Sequence, residues 1–366
     1  MSKDLTLNRK MGIQAHKKTL PLLTGNLDGL NHSKLPIQNW EFVEARSSIR
    51  AALRFLLGKQ RSDGSWRDFN VLFGESSSWV TACVLISLSD TPSYVPRADL
   101  AGVKAKALQF LRSSCKPTGG WGYNENPIVP DDCDSTAHAI LAFRMNDQMV
   151  PNRNIRRLEE FEIEPGHFVT FLNRKEGHSW GLTHSEVGAI ATIALGGSSR
   201  VRGLAEKLEY DLDRFGSWPS FWWRKPLYST YACSWFLSHF GICCRSLSDR
   251  SEQLADTLSS RSPLEAAFSG LAAYQLGHHQ FVKKAFRYLI RNQKSDGSWE
   301  SSRLLRNTDS DQTSNWLNTG KVRGKLYHDQ NKVFTTSTIT RFLMTVITEV
   351  QPCDYSMSAF EAHNVL

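Results

Sequence analysis

The chain has 366 residues, 40% of them hydrophobic and 22% charged, with a formal net charge of +8; this is the composition of a folded protein with a large core, neither disordered nor fibrous. No apolar stretch approaches the roughly 20 residues of a membrane span, and the start, MSKDLTLNRKMGIQAHKKTL, lacks the apolar centre of a signal peptide. Basic residues are dispersed without a nucleic-acid motif, so the charge suits a small anion such as a diphosphate, or an anionic membrane surface that gives up a lipid, rather than a polynucleotide.

Residues 1–44 read as an N-terminal arm. The first amphipathic helix is predicted at 49–60 (IRAALRFLLGKQ), followed by the turn QRSDGSW at 60–66 and a second helix at 77–88 (SSWVTACVLISL) with few charges and many small residues. The pattern recurs with helix 104–114, the turn CKPTGGWGY at 115–123 and helix 134–143 (DSTAHAILAF). Degenerate turns NRKEGHSWG (173–181) and DRFGSWPSFWW (213–223) precede small-residue helices at 185–195 and 229–240, and another such helix follows at 263–276. Helix 282–293 leads into NQKSDGSW (292–299), a loop at 316–332 and a last helix at 334–346, with 351–366 as a tail. The second helices start roughly every 50 residues, a helical-repeat period. Six outer–inner pairs closing on themselves predict an all-α fold, an α/α barrel over 45–350 with the inner-helix N-termini around one mouth. Trp66 and Trp299, in the turns, read as structural staples.

Between the second turn and its inner helix, IVPDDCDSTAHAIL (128–141) sets Asp131, Asp132, Cys133 and Asp134 in four consecutive positions. Neighbouring carboxylates repel, so at least one should keep its proton above the reference pKa of about 3.9. Asp and Ser are also ordinary helix N-caps. Seven cysteines, an odd number that includes the adjacent Cys243 and Cys244, form no disulfide-like framework and fit a reducing cytoplasm.

Gln60, Gly64 and Trp66 share the spacing Gln-x3-Gly-x-Trp with Gln293, Gly297 and Trp299. These repeats resemble the QW motifs of the squalene-hopene cyclase and class II terpene cyclase superfamily over roughly residues 45–346. DCDSTA (132–137) is similar to that family's Asp-x-Asp-Asp-Thr-Ala acid motif, with Ser135 in place of the third Asp. The resemblance implies a cyclase, without a cofactor, that starts a carbocation cascade by protonating an isoprenoid alkene or epoxide. Asp134 then matches the proton donor and Asp132 its anionic partner; Ser135 and Thr136 orient the carboxyls, and His184 tunes the cluster through a hydrogen bond. Such chemistry needs a carboxylic acid held protonated in a dry pocket. It also needs aromatic faces, which stabilise a cation without trapping it. Aligning the inner helices on their Thr-Ala steps places Trp79 and Phe334 level with Asp134, and Trp121, Trp222, Trp223 and Tyr231 complete the expected lining.

Two other readings use the same residues. Protein prenyltransferase β subunits share this barrel, and Asp131, Cys133 and His184 have the order of their zinc ligands. A barrel that only binds an isoprenoid or lipid is the third. The basic clusters Arg224–Lys225 and Lys321, Arg323, Lys325 are candidates for an anionic substrate end. A single barrel leaves the pocket to be closed by residues 1–44, by 316–332, or by a second copy in a homodimer.

Overall fold

A computed structural model describes residues 37–89, 91, 97–172, 179–242, 258, 260–309 and 322–349. Its helices are α1 (Asn39–Lys59), α2 (Ser78–Ser89), α3 (Arg97–Ser114), α4 (Cys133–Arg144), α5 (Asn152–Glu159), α6 (Ser185–Leu195), α7 (Ser198–Phe215), α8 (Leu227–His239), α9 (Pro263–Gln275), α10 (His279–Arg291) and α11 (Val333–Glu349). The inner helices α2, α4, α6, α8, α9 and α11 touch in that order, and α11 returns to α2, closing the ring. The outer partner expected before α9 falls on 243–257, outside the described residues, as do 1–36, Lys321, the Cys243–Cys244 pair and the tail.

Burial explains which helix goes where. Helix α10 buries only Val282, Ala285, Phe286 and Leu289, a single stripe at helical spacing. Helix α2 is buried at ten of its positions, Ser78 to Ala82 and Val84 to Leu88, as a helix with apolar or small residues on every side must be. Helix α1 starts at Asn39, where Gln38 and Glu41 form a reciprocal capping box, so the expected boundary between arm and barrel at 44/45 falls inside this helix.

The Gly/Trp turns fasten each pair. The indole N–H groups of Trp66, Trp121, Trp218 and Trp299 donate to the carbonyls of Leu56, Leu111, Leu208 and Leu289, ten residues earlier in each case, at 2.7, 2.7, 3.0 and 2.8 Å. Gln60 donates onward to Val103 in α3, and Gln293 to Ser48 in α1, so the last repeat is tied to the first. Gly64 and Gly297 have φ of +89° and +87°, and a Cβ there would lie 2.3 and 2.4 Å from the Lys106 and Ala51 carbonyl oxygens. Only glycine meets both demands.

Of the expected third turn, NRKEGHSWG, residues 173–178 lie outside the described residues, and an earlier segment has the geometry of the turn. Gly166, with φ +79° and a virtual Cβ 2.4 Å from the Arg200 carbonyl, and the buried Phe168 occupy the positions of Gly64 and Trp66. A phenyl ring fills the space but lacks the N–H, so this repeat carries no Trp signature in the sequence.

Three short antiparallel hairpins lie among the connections: β1 (Asp68–Val71) with β2 (Gly74–Ser76), β3 (Glu162–Glu164) with β4 (His167–Phe168), and β5 (Leu305–Thr308) with β6 (Gly324–Tyr327). The helical period gave no sign of them. No helix of the described residues is long and apolar enough to cross a membrane.

Candidate active site

The acidic run before α4 separates into three tasks. Asp131 is held by the Arg157 guanidinium at 2.5 and 3.1 Å and accepts from the Thr118 hydroxyl. Asp132 is the N-cap of α4: Oδ1 accepts from the Ser135 amide and Oδ2 from the Ser135 hydroxyl, both at 2.7 Å. Asp134, in the first turn of the helix, faces a cavity. Burial first, then the charges of Asp134 and Asp131, raise the Asp132 carboxyl to about 7 against the pull of the Ser135 donors. Ser135, the departure from the acid motif, thus supplies a hydroxyl donor where a third carboxylate would add repulsion.

The partner of Asp134 is His138, four residues on and therefore on the same face of α4. Its Nδ1 lies 2.8 Å from the Asp134 backbone carbonyl and 3.3 Å from Oδ1. A carbonyl only accepts, so Nδ1 carries the hydrogen. On the other side, Nε2 meets the Tyr228 hydroxyl at 3.5 Å. Burial disfavours the imidazolium, but the adjacent Asp134 carboxylate outweighs it and holds the His138 pKa well above the usual histidine value. The Asp-x3-His spacing was present in the sequence and was the one signal that could have found this residue.

The cavity has a volume of about 440 Å³, within the range of small-molecule sites. Asp132, Asp134 and Ser135 form one wall, and Trp79, Trp180, Trp222, Trp223, Tyr123 and Phe171 supply aromatic surface. Arg306, on β5, is the cation in the lining; it donates to the Phe221 and Arg224 carbonyls. The wall carrying Trp222 and Trp223 is set by Glu186, which accepts from the backbone amides of Phe221 and Trp222, and by pairing of this segment with β5. Phe73 and Ile128, both solvent-exposed, border the cavity, and Leu72 is exposed beside them.

Among the expected lining residues, Trp79, Trp222 and Trp223 face the cavity. Phe334 stands behind them, its ring centroid 5.0 Å from Trp79 and 5.7 Å from Trp223. Trp121 does not line it: the ring is the staple of its own turn and packs on Phe143. Tyr231 lies deeper, against Phe268 and Trp235, and accepts a hydrogen bond from Arg341. His184 caps α6, stacks 4.3 Å from Phe221 and donates from Nε2 to the Ser179 carbonyl. Burial depresses its pKa to about 3 and Lys207 adds to the effect, although the Ser179 contact opposes it. The histidine beside the Asp134 carboxyl is His138, not His184.

The residues of the zinc reading do not converge. Asp131 is tied to Arg157, Cys133 is buried in the first turn of α4, and His184 turns to Ser179. Among the described residues no three His, Cys, Asp or Glu side chains are grouped to hold a metal. The expected basic clusters also lie elsewhere: Lys225 pairs with Glu265 at 2.8 Å, and Arg224 borders a separate pocket with Arg261 and Arg303. Lys325 lies over the Tyr327 ring, and Arg323 is exposed near Asp309.

No family model and no curated protein matches the chain. Solved structures match its fold. An apo variant of type II terpene cyclase MstE from Scytonema is 23% identical, with a TM-score of 0.72 over 86% of this chain and 100% of that one. An MstE variant in complex with its substrate, geranylgeranyl dihydroxybenzoate, is 22% identical with a TM-score of 0.70 over the same shares of the two chains. A protein from Actinoplanes is 22% identical, with a TM-score of 0.68 over 82% of this chain and 99% of that one. The barrel described here has the fold of a type II terpene cyclase.

Proposed function

We propose that this protein is a class II-like terpene cyclase in which Asp134 protonates a terminal alkene or epoxide of an isoprenoid chain folded into the cavity. The observation that carries this reading is the Asp134 carboxyl, which opens into an aromatic-walled cavity with His138 Nδ1 3.3 Å from Oδ1. The Nδ1 hydrogen of His138 is engaged by the Asp134 backbone carbonyl, which leaves Oδ1 without a hydrogen-bond partner, and in this reading the transferable proton is carried by the Asp134 carboxyl. Protonation of an alkene turns its π pair into a new C–H bond and leaves a carbocation. Protonation of an epoxide opens its C–O bond to the same effect. Trp79, Trp222 and Trp223 present π faces to the charge as it moves through ring closures. Loss of a proton from the last cation restores the balance, so the reaction is an isomerisation.

The fold neighbour MstE is known with geranylgeranyl dihydroxybenzoate as substrate and merosterolic acid A as product. That precedent supports a chain bearing a polar head over a bare hydrocarbon of the squalene type, and Arg306 is the cavity residue placed to meet such a head. The exposed Leu72, Phe73 and Ile128 provide apolar access for the chain.

The test is turnover in D2O of isoprenoid chains with carboxylate, diphosphate, alcohol or hydrocarbon ends. A cyclic product carrying one deuterium at the initiating carbon is expected from the wild type, and bound but uncyclised substrate from Asp134→Asn. Cyclisation by Asp134→Asn at the wild-type rate would overturn the assignment. Binding without turnover by the wild type would favour the lipid-binding reading. Arg306→Ala should raise KM for the anionic ends and leave the alcohol unchanged.

A further inference from the structure

Phe69 has a left-handed backbone, φ +47°, which a bulky side chain rarely adopts. It lies in β1, yet its fully buried ring projects into the barrel, with centroids 6.0 Å from Trp79, 6.4 Å from Trp223 and 5.3 Å from Phe334. Trp79 and Trp223 line the cavity, and Phe69 is not in its lining. Phe69 is therefore packed behind two of the aromatic side chains that wall the cavity.

Phe69 is held from both directions. Asp68 accepts from the backbone amides of Asn331, Val333 and Phe334 at 2.8, 2.8 and 3.2 Å, latching β1 to the start of α11. The Phe69 carbonyl accepts from the Tyr123 hydroxyl at 2.6 Å. Such clamping is what keeps an unfavourable backbone conformation in place. A second local cost sits beside it, since the buried indole N–H of Trp79 has no hydrogen-bond partner. A strained phenyl ring against an unsatisfied tryptophan is poor packing for stability alone, and both costs fall at the boundary between cavity and core.

We propose that Phe69 is the depth gauge of the cavity, a specificity-determining residue that limits the length of isoprenoid chain able to fold over Asp134. The inference rests on the cyclase reading for the nature of the ligand. Removing the ring lets Trp79 and Trp223 settle into the space it vacates and enlarges the cavity by the volume of a branched five-carbon unit or less. Phe69 acts through the two tryptophans, so its signature is a change in length preference and not a uniform loss of rate.

The experiment compares wild type, Phe69→Leu, Phe69→Ala and Phe69→Gly on a series of prenyl chains that share one head group and differ by one isoprene unit. Equilibrium binding of the saturated, unreactive analogues is read by tryptophan fluorescence, and kcat/KM is measured on the reactive chains. In Phe69→Ala the ratio of kcat/KM for the chain one unit longer than the wild-type optimum to that optimum should rise by about tenfold, the scale on which apolar pockets discriminate size. Phe69→Leu should fall between, and Phe69→Gly should match Phe69→Ala in preference while melting at a higher temperature, because glycine relaxes the positive φ. An unchanged length preference in folded Phe69→Gly or Phe69→Leu, with the wild type binding and cyclising its chains, overturns the gauge and leaves the cyclase reading intact. If the wild type binds no prenyl chain, the cyclase reading fails and the gauge with it.

Discussion

The first and second repeats are built on one frame and do different things. In each, a Thr hydroxyl one turn into the inner helix bridges the turn Trp: Thr81 accepts from the Trp66 amide and donates to its carbonyl, and Thr136 does the same for Trp121. The two bridges span the same fifteen residues, with N···O distances of 2.9 and 3.0 Å. The residue two before the Thr is Trp79 in one repeat and Asp134 in the other, and both face the cavity. Backbone and staples are thus common property, while the side chain turned to the cavity is an indole in one repeat and a carboxyl in the other.

The largest break in that comparison should come from the acid. Asp134→Asn keeps the shape of the carboxyl but removes the donated proton, and turnover should fall by at least about 10³-fold, near the upper range for a general acid. Trp79→Leu, at the matching position, should leave the initiation chemistry intact. A loss as deep as that of Asp134→Asn would mean the two positions do not divide the work as described.

A second contrast sets the cap of α4 against the cap of α6. The Asp132 carboxyl is raised to about 7, so between about pH 4 and 7 the folded state holds a proton that the unfolded chain has released. Its contribution to stability is full below about pH 4 and is lost as pH rises toward 7. His184 is depressed to about 3, so its contribution is full above about pH 6.5 and is lost as pH falls. The slopes oppose each other, each amounting to a few kcal/mol as an order of magnitude. Urea midpoints should therefore rise more steeply with pH in Asp132→Asn than in wild type and less steeply in His184→Gln. Parallel curves for all three proteins would remove both assignments.

Equivalence of the frames can be measured directly. Thr81→Val and Thr136→Val each strip a buried amide and carbonyl of their side-chain partner, and each should cost about 1–3 kcal/mol in denaturant unfolding. Costs differing severalfold would show that the acid repeat has drifted from the common frame. The smallest effect is expected from the aromatic lining, where Trp79→Phe retains a π face and should lower kcat only a few-fold, against about tenfold for Trp79→Leu.

The sequence alone determined the periodic part of this protein. Inner helices expected at 77–88, 134–143, 185–195, 229–240, 263–276 and 334–346 occur within a few residues of those bounds, because small, uncharged residues on every side leave a helix no place but the middle. It also placed Asp134 and Trp79 at matching levels, since a helix of fixed rise converts equal spacing from a Thr into equal height. Tertiary structure decided everything that depends on direction across the ring. It turned His184 to Ser179 and His138 to Asp134, made Trp121 a staple, and brought Arg306 from a distant hairpin into the cavity while Arg224 and Lys325 went elsewhere. Phe69 escaped notice for the same reason: its reach into the barrel follows from a positive φ and a latch to α11, more than two hundred residues away, and no local pattern records either.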